Sequence, residues 1–160
     1  MNGASEGERP LGEEPDCLFC AIARGDAEAS VVYDDGTVLA FMDLQPVTPG
    51  HLLVVPRAHV AGLTDLDPGL GTEIWRVGHQ LALALRRSTL RCEGINVFLA
   101  DGEAAFQEIF HLHLHVFPRF RGDDFRLVAD WYPRERAELD ATAAAVRAGV
   151  APVDGEFSGP

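Results

Sequence analysis

An α+β domain is the fold class this sequence predicts: an antiparallel meander of about five strands with one long helix on a face. Three patterns carry that expectation. Short aliphatic and β-branched runs recur between turn residues at positions 30–42, 51–56, 95–99 and 107–119. The stretch from Asp67 to Arg87 sets Leu70, Ile74, Val77, Leu81 and Leu85 at the 3-4 spacing of a helix face. Strict alternation in HLHLHVF puts three imidazoles on one face of a strand and aliphatic side chains on the other.

Taken in order, residues 1–16 are rich in acids, Gly and Pro and are expected to be a disordered lead-in. Leu18, Phe19, Ile22 and Ala23 make a short helical turn that Gly25 ends. Residues 30–33 and 37–42 form a hairpin signal with Asp35-Gly36 at its turn. The loop QPVTPG leads into the buried-strand run HLLVV, which Pro56 closes. Asp67 caps a helix of about five turns with Pro68 in its first turn, and Arg86 and Arg87 sit where the helix dipole favours cations. Residues 95–99 read as a strand, 100–106 as a loop, and 107–119 as the histidine strand. A second, Ala-rich helix is expected from Arg134 to about Gly149. The expected organisation is a domain at 17–125, a helical extension at 126–149 and a flexible tail at 150–160.

Composition excludes several function classes. The chain of 160 residues carries 25 acids against 13 basic residues, every one of them Arg, for a net charge of −12. Polymeric nucleic acid is therefore an unexpected partner, although a small phosphate ligand needs only a few local donors. No apolar stretch approaches the length of a membrane span, and MNGASEGERP carries no signal-peptide core, so a cytoplasmic location is expected.

The three cysteines cannot build a disulfide framework. Cys17 and Cys20 form a Cys-x-x-Cys pair, and as residues alone they stay open between half a zinc site, a redox dithiol and no function. Cys92 reads as a buried small apolar residue. His111, His113 and His115 cluster on one strand face, where buried imidazoles need partners for every ring nitrogen. His79, on the long helix, is expected to be structural or exposed.

These residues resemble the histidine triad (HIT) superfamily of nucleotide hydrolases and transferases. The resemblance rests on His111-Leu112-His113-Leu114-His115-Val116-Phe117, on His51 and on the PRAHV segment, and runs through flanking motifs from about residue 16 to 125. It implies a HIT-like fold and a structural zinc ion held by Cys17, Cys20, His59 and His111, with no organic cofactor. His113 is implied as the nucleophile on the α-phosphorus, forming a nucleotidyl-histidine intermediate, with His115 donating to a phosphate or leaving-group oxygen and His51 near the phosphates. Asp43 matches the acid that accepts from ribose hydroxyls. Leu18, Phe19, Ile22, Phe41 and Leu44 match the apolar cleft around the base, although as residues alone all five read as core. Gln107 matches a glutamine near the phosphates.

Departures from the family pattern lie around the phosphate site: Ala100 where many relatives carry Asn or Gln, Phe106 for a frequent Gly, Glu108 for a frequent Ser or Thr. They leave the nucleophile intact and put substrate preference in question. The implied function is a homodimeric hydrolase or transferase of nucleoside monophosphates, using nucleoside phosphoramidates or dinucleoside polyphosphates with a purine nucleotide as the recognised half. The rivals are a nucleotide-binding regulatory module with little turnover and a metal-dependent hydrolase using the His-x-His pair.

Overall fold

The computed structural model describes residues 16–150, so the expected lead-in and tail lie, apart from Asp16 and Val150, outside the described residues. The chain divides into two compact units, Met1–Phe125 and Arg126–Pro160. The described part of the second contains one helix, α3 (Arg136–Gly149), none of whose residues is buried.

In the first unit the elements follow as α1 (Leu18–Arg24), β1 (Val31–Asp34), β2 (Val38–Met42), β3 (Leu52–Pro56), α2 (Pro68–Arg87), β4 (Gly94–Leu99) and β5 (Leu114–Arg119). The five strands form one sheet in the order β1-β2-β3-β5-β4, with every neighbouring pair antiparallel. The expected simple meander is corrected here. β1 to β3 do follow one another, but β5 inserts between β3 and β4, because α2 carries the chain across the sheet before β4 begins.

β2 and β3 are buried along almost their whole length because both faces of the sheet are covered there. Val38, Ala40, Leu52 and Val54 pack in a core with Ile74, Val77, Leu81 and Leu85 of α2. The alternate residues Leu39, Phe41, Leu53 and Val55 pack with Phe19 and Ala23 of α1. A strand buried on both sides reads as a continuous apolar run, which is what HLLVV shows.

α2 starts as its sequence dictates: the Asp67 side chain accepts from the Leu70 N–H at 3.0 Å and Pro68 occupies the first turn. Such a cap contributes about 1 kcal/mol. Its buried face also includes Gly78, where an added Cβ would lie 2.7 Å from Leu114 Cδ2. The helix thus rests closely on β5. Gly50 is needed for two reasons: its φ is +99°, and a Cβ there would lie 2.7 Å from Leu90 and 2.9 Å from Pro118.

β5 is shorter than the sequence predicts. It begins at Leu114 rather than near residue 107, because β4 ends opposite it at Leu99↔Leu114 and the β3 pairing ends at Val54↔Leu114. Before that point Leu112 N–H bonds the Val60 carbonyl instead, at 2.7 Å. The alternation persists through this irregular stretch all the same. Leu112, Leu114 and Val116 enter the α2 core. At its far end β5 is pinned by Arg119, which donates to Asp123 and Asn96 and holds the Asp123 carboxyl well below the usual range. Among the described residues no helix is long and apolar enough to cross a membrane.

Candidate active site and metal cluster

The α1 turn, the loop after β3 and the start of the histidine segment bring four donor atoms together. Cys17 Sγ lies 3.4 Å from His111 Nδ1, Cys20 Sγ 3.5 Å from the same nitrogen, and Cys20 Sγ 3.4 Å from His59 Nδ1. All four ligand atoms lie within 4.8 Å of one another. His111 Nε2 sits 2.8 Å from the Pro56 carbonyl, which can only accept, so the proton is on Nε2 and the Nδ1 lone pair faces the sulfurs. A tetrahedral zinc ion with its usual bond lengths spaces sulfur and nitrogen ligands by roughly 3.5 Å. The donor set and its spacing fit that ion. Burial, reinforced by His59 and His113, pushes the His111 pKa down to about 4, so the imidazole is neutral and able to ligate.

Two residues on, His113 Nδ1 lies 2.7 Å from the His111 carbonyl. The same logic applies: the carbonyl accepts, Nδ1 carries the proton, and Nε2 keeps its lone pair. Phe19 packs edge-on against both His111 and His113, with ring centroids 5.7 and 5.3 Å away. His113 is 7% exposed and lines an open cleft, so its ring is accessible from one side.

His51 and His115 form a second pair. His51 Nε2 lies 3.0 Å from His115 Nδ1, and the Val47 backbone N–H donates to His51 Nδ1 at 3.2 Å. An N–H aimed at Nδ1 leaves the His51 proton on Nε2, which donates to His115 Nδ1. The remaining His115 proton is therefore on its Nε2. Burial pushes the His115 pKa down to about 4, helped by His113 and His51 and opposed by Asp43. His51 is lowered by burial too, against the Asp43 carboxylate. Asp43 Oδ2 approaches His51 Nδ1 to 3.3 Å, while its Oδ1 accepts from the Gln45 N–H at 2.8 Å. With His51 neutral, this is proximity rather than an ion pair. Donor atoms of Asp43, His51 and His115 also lie within 4.8 Å of one another, the set a metallohydrolase would use. The proton on His51 Nε2 and the N–H facing its Nδ1 instead describe a hydrogen-bonded relay.

The cleft, about 920 Å³, opens over these histidines. Phe19 and Phe41 are buried in its floor, while Leu18 is 52% and Leu44 96% exposed along its walls. The reading of Leu18 and Leu44 as core is thereby corrected: neither has enough neighbours to be covered. Asp43, His51 and His115 line the same cleft. Ile22 does not; it packs against the cluster of Phe19, Leu39, Phe41, Leu53 and Val55. Gln107 is not among the residues lining the cleft: it is 4% exposed, and its side-chain amide donates to the Ala61 and Ile109 carbonyls while accepting from the Gly102 N–H, which ties the loop together. His79 is exposed on α2, and Cys92 is half-buried beside the α2 core.

A family model described as the HIT domain matches residues 24–122. The chain belongs to the HIT family. A HIT-like protein of Mycobacterium tuberculosis is 38% identical over 138 residues, 86% of this chain and 95% of that one. Among solved structures, SMU.412c of Streptococcus mutans superposes with a TM-score of 0.82 at 32% identity, covering 89% of this chain and 90% of that one. A Zn-bound histidine triad family protein of Mycobacterium smegmatis is 40% identical, with a TM-score of 0.66 over 84% of this chain and 98% of that one.

HIT proteins are nucleotide-binding and hydrolase-like, and the cleft carries features beyond the triad. Val47, whose N–H orients His51, was not singled out from sequence; its signal was the proline on either side of VT, which forces the turn that presents that N–H. Glu28, Ala29 and Ser30, ahead of β1, also line the cleft. Of the departures from the HIT pattern, Ala100 is buried at 3%, whereas Phe106 is 84% exposed, and Phe106 and Glu108 both face the cleft.

Proposed function

We propose that this HIT protein hydrolyses or transfers a nucleoside monophosphate, acting at the α-phosphate of nucleoside phosphoramidates or dinucleoside polyphosphates. The observation that carries this reading is the 2.7 Å contact between His113 Nδ1 and the His111 carbonyl, which puts a proton on Nδ1 and leaves Nε2 as the nitrogen available at an accessible cleft. Nε2 attacks the α-phosphorus, forming a P–N bond as the bond to the leaving group breaks. The leaving group takes its proton from solvent water while the neutral His115 donates an Nε2–H hydrogen bond to it, and His51 holds His115 in the tautomer that presents that N–H. Water then displaces His113 and releases the monophosphate. Asp43 is the ribose acceptor, and Leu18, Phe19, Phe41 and Leu44 are the apolar surface for a purine base.

Cys17, Cys20, His59 and His111 would hold zinc, which in a closed four-ligand site supplies a structural clamp between α1 and the triad. Reduced thiols ligating a metal accord with a cytoplasmic location. Homodimerisation is supported by one sheet edge: β4 is an edge strand, with Val97 and Phe98 39% and 44% exposed, and α2 shows Trp75 at 60%. Sedimentation at micromolar concentration as a monomer would remove the dimer from this reading.

Wild-type protein mixed with an adenosine phosphoramidate and quenched should yield an adenylyl adduct on His113 by mass spectrometry, absent in His113→Ala. Undiminished turnover by His113→Ala would overturn the assignment. Nucleotide binding without adduct or turnover would make the chain a binding module.

A further inference from the structure

The charge on the cleft walls bears on which leaving group the site accepts. Among the described residues, those lining it include the carboxylates Glu28, Asp43 and Glu108 but no Arg, and the chain holds no Lys at all. Backbone amides and imidazoles can accommodate one α-phosphate. A polyphosphate leaving group adds anionic charge at every further phosphate, and no Arg or Lys among the described residues lines the cleft to meet it.

The two ends of the cleft are distinguishable by register. Asp43 and Leu44 follow β2, where Asp43 lies beside His51 and His51 beside His115. Phe106 and Glu108 belong to the connection from β4 to β5, which returns at the Leu99↔Leu114 pair next to His113. The histidines thus stand between a nucleoside side and a second side. That second side is a fixed structure. Gln107, between Phe106 and Glu108, is buried, and its side chain makes three hydrogen bonds. Phe106 has φ +68°, a left-handed conformation that bulky residues rarely adopt, and yet its ring is held out at 84% exposure. The strained backbone thus presents an apolar ring and a carboxylate at the mouth of the cleft.

We propose that Phe106 and Glu108 form the leaving-group subsite and select phosphoramidates whose amine carries a positive charge on an apolar body, in preference to anionic leaving groups. The proposal rests on the histidine reading above. In the step it concerns, His113 Nε2 bonds to phosphorus, the P–N bond breaks with its electron pair passing to the amine nitrogen, and that nitrogen takes a proton from solvent water while accepting a hydrogen bond from His115 Nε2–H. Water later hydrolyses the intermediate, so one water is consumed for each monophosphate and amine released.

The test uses three isosteric adenosine phosphoramidates, made from 1,4-diaminobutane, butylamine and 4-aminobutyrate, whose far ends are cationic, neutral and anionic. Wild-type kcat/KM should fall in that order, by about tenfold or more from first to last, mostly through KM. Glu108→Gln should shrink that ratio to within about threefold, Glu108→Lys should invert it, and Glu108→Asp should retain it. Phe106→Gly should raise KM for all three amines relative to the unsubstituted phosphoramidate. Equal wild-type efficiency on the cationic and anionic substrates, or a preference that survives Glu108→Gln, overturns the subsite. Absence of turnover on every substrate, with no His113 adduct, overturns instead the histidine reading beneath it. Zinc content and melting temperature of each variant identify any that fail to fold, and the Glu108→Asp and Glu108→Lys pair then decides.

Discussion

His51 Nε2 lies 3.0 Å from His115 Nδ1, and the Val47 N–H approaches the opposite nitrogen of His51, so one backbone amide dictates where the proton of a second imidazole resides. On the proposed mechanism His51 acts through His115. His51→Ala should then lower kcat by about 10- to 100-fold, with KM moving much less. Combined with His115→Ala it should add little, because both changes remove the same hydrogen bond to the leaving group. Steady-state kinetics on the four proteins of the cycle decide; additive losses would separate the two residues.

Stability should depend on pH through the same pair. In the fold His115 titrates at about 4 and His51 is lowered as well, whereas unfolded histidine titrates near 6.5. Between those values the unfolded chain binds more protons, so stability rises with pH and is lost as pH falls from about 6.5 toward 4. Thermal melts across that window should show Tm falling by on the order of 5 °C, and His115→Asn should flatten the slope. A Tm independent of pH there would contradict the buried, neutral assignment.

Zinc removal is expected to act on folding before chemistry. A strong chelator, or Cys20→Ser, should lower Tm by on the order of 10 °C, because metal affinity is folding free energy in such a site. Stoichiometric zinc by elemental analysis should be lost in parallel. Full loss of metal with an unchanged melt would sink the structural role.

Gly78 tests the seat of α2 on β5. Valine there drives two methyl groups toward Leu114 and should destabilise the protein by about 2 kcal/mol. Alanine should come close to neutral, since its gain in helix propensity of about 1 kcal/mol offsets the milder crowding. Urea midpoints measure both. A tolerated valine would mean that the helix can lift away from the sheet.

Much of this was legible in the chain. The Asp67-Pro68 helix start, the Asp35-Gly36 turn and the doubly buried HLLVV strand follow from local chemistry, and the structure shows each of them. Strand order was not legible. Nothing in the period of residues 114–119 says that they pair with residues 52–54 on one side and 94–99 on the other. The roles of single polar and apolar side chains were hidden for a related reason. Gln107 stands beside a reactive strand in sequence, yet its amide is held by Ala61, some 46 residues away. Ile22 shares a helical turn with Phe19 but faces the cluster beneath the sheet rather than the cleft. Which way a side chain turns depends on what long-range packing leaves open, and periodicity carries no such information.

Cys17 and His111 are separated by 94 positions, yet their donor atoms lie 3.4 Å apart. During synthesis the two thiols emerge early and stay without half of their partners until the triad segment has left the ribosome and joined the sheet. An ion gripped by all four donors would thus bind only once the triad segment is in place, and a product stalled before it would keep its thiols exposed to oxidants. Metal occupancy would then report that the two distant segments have met.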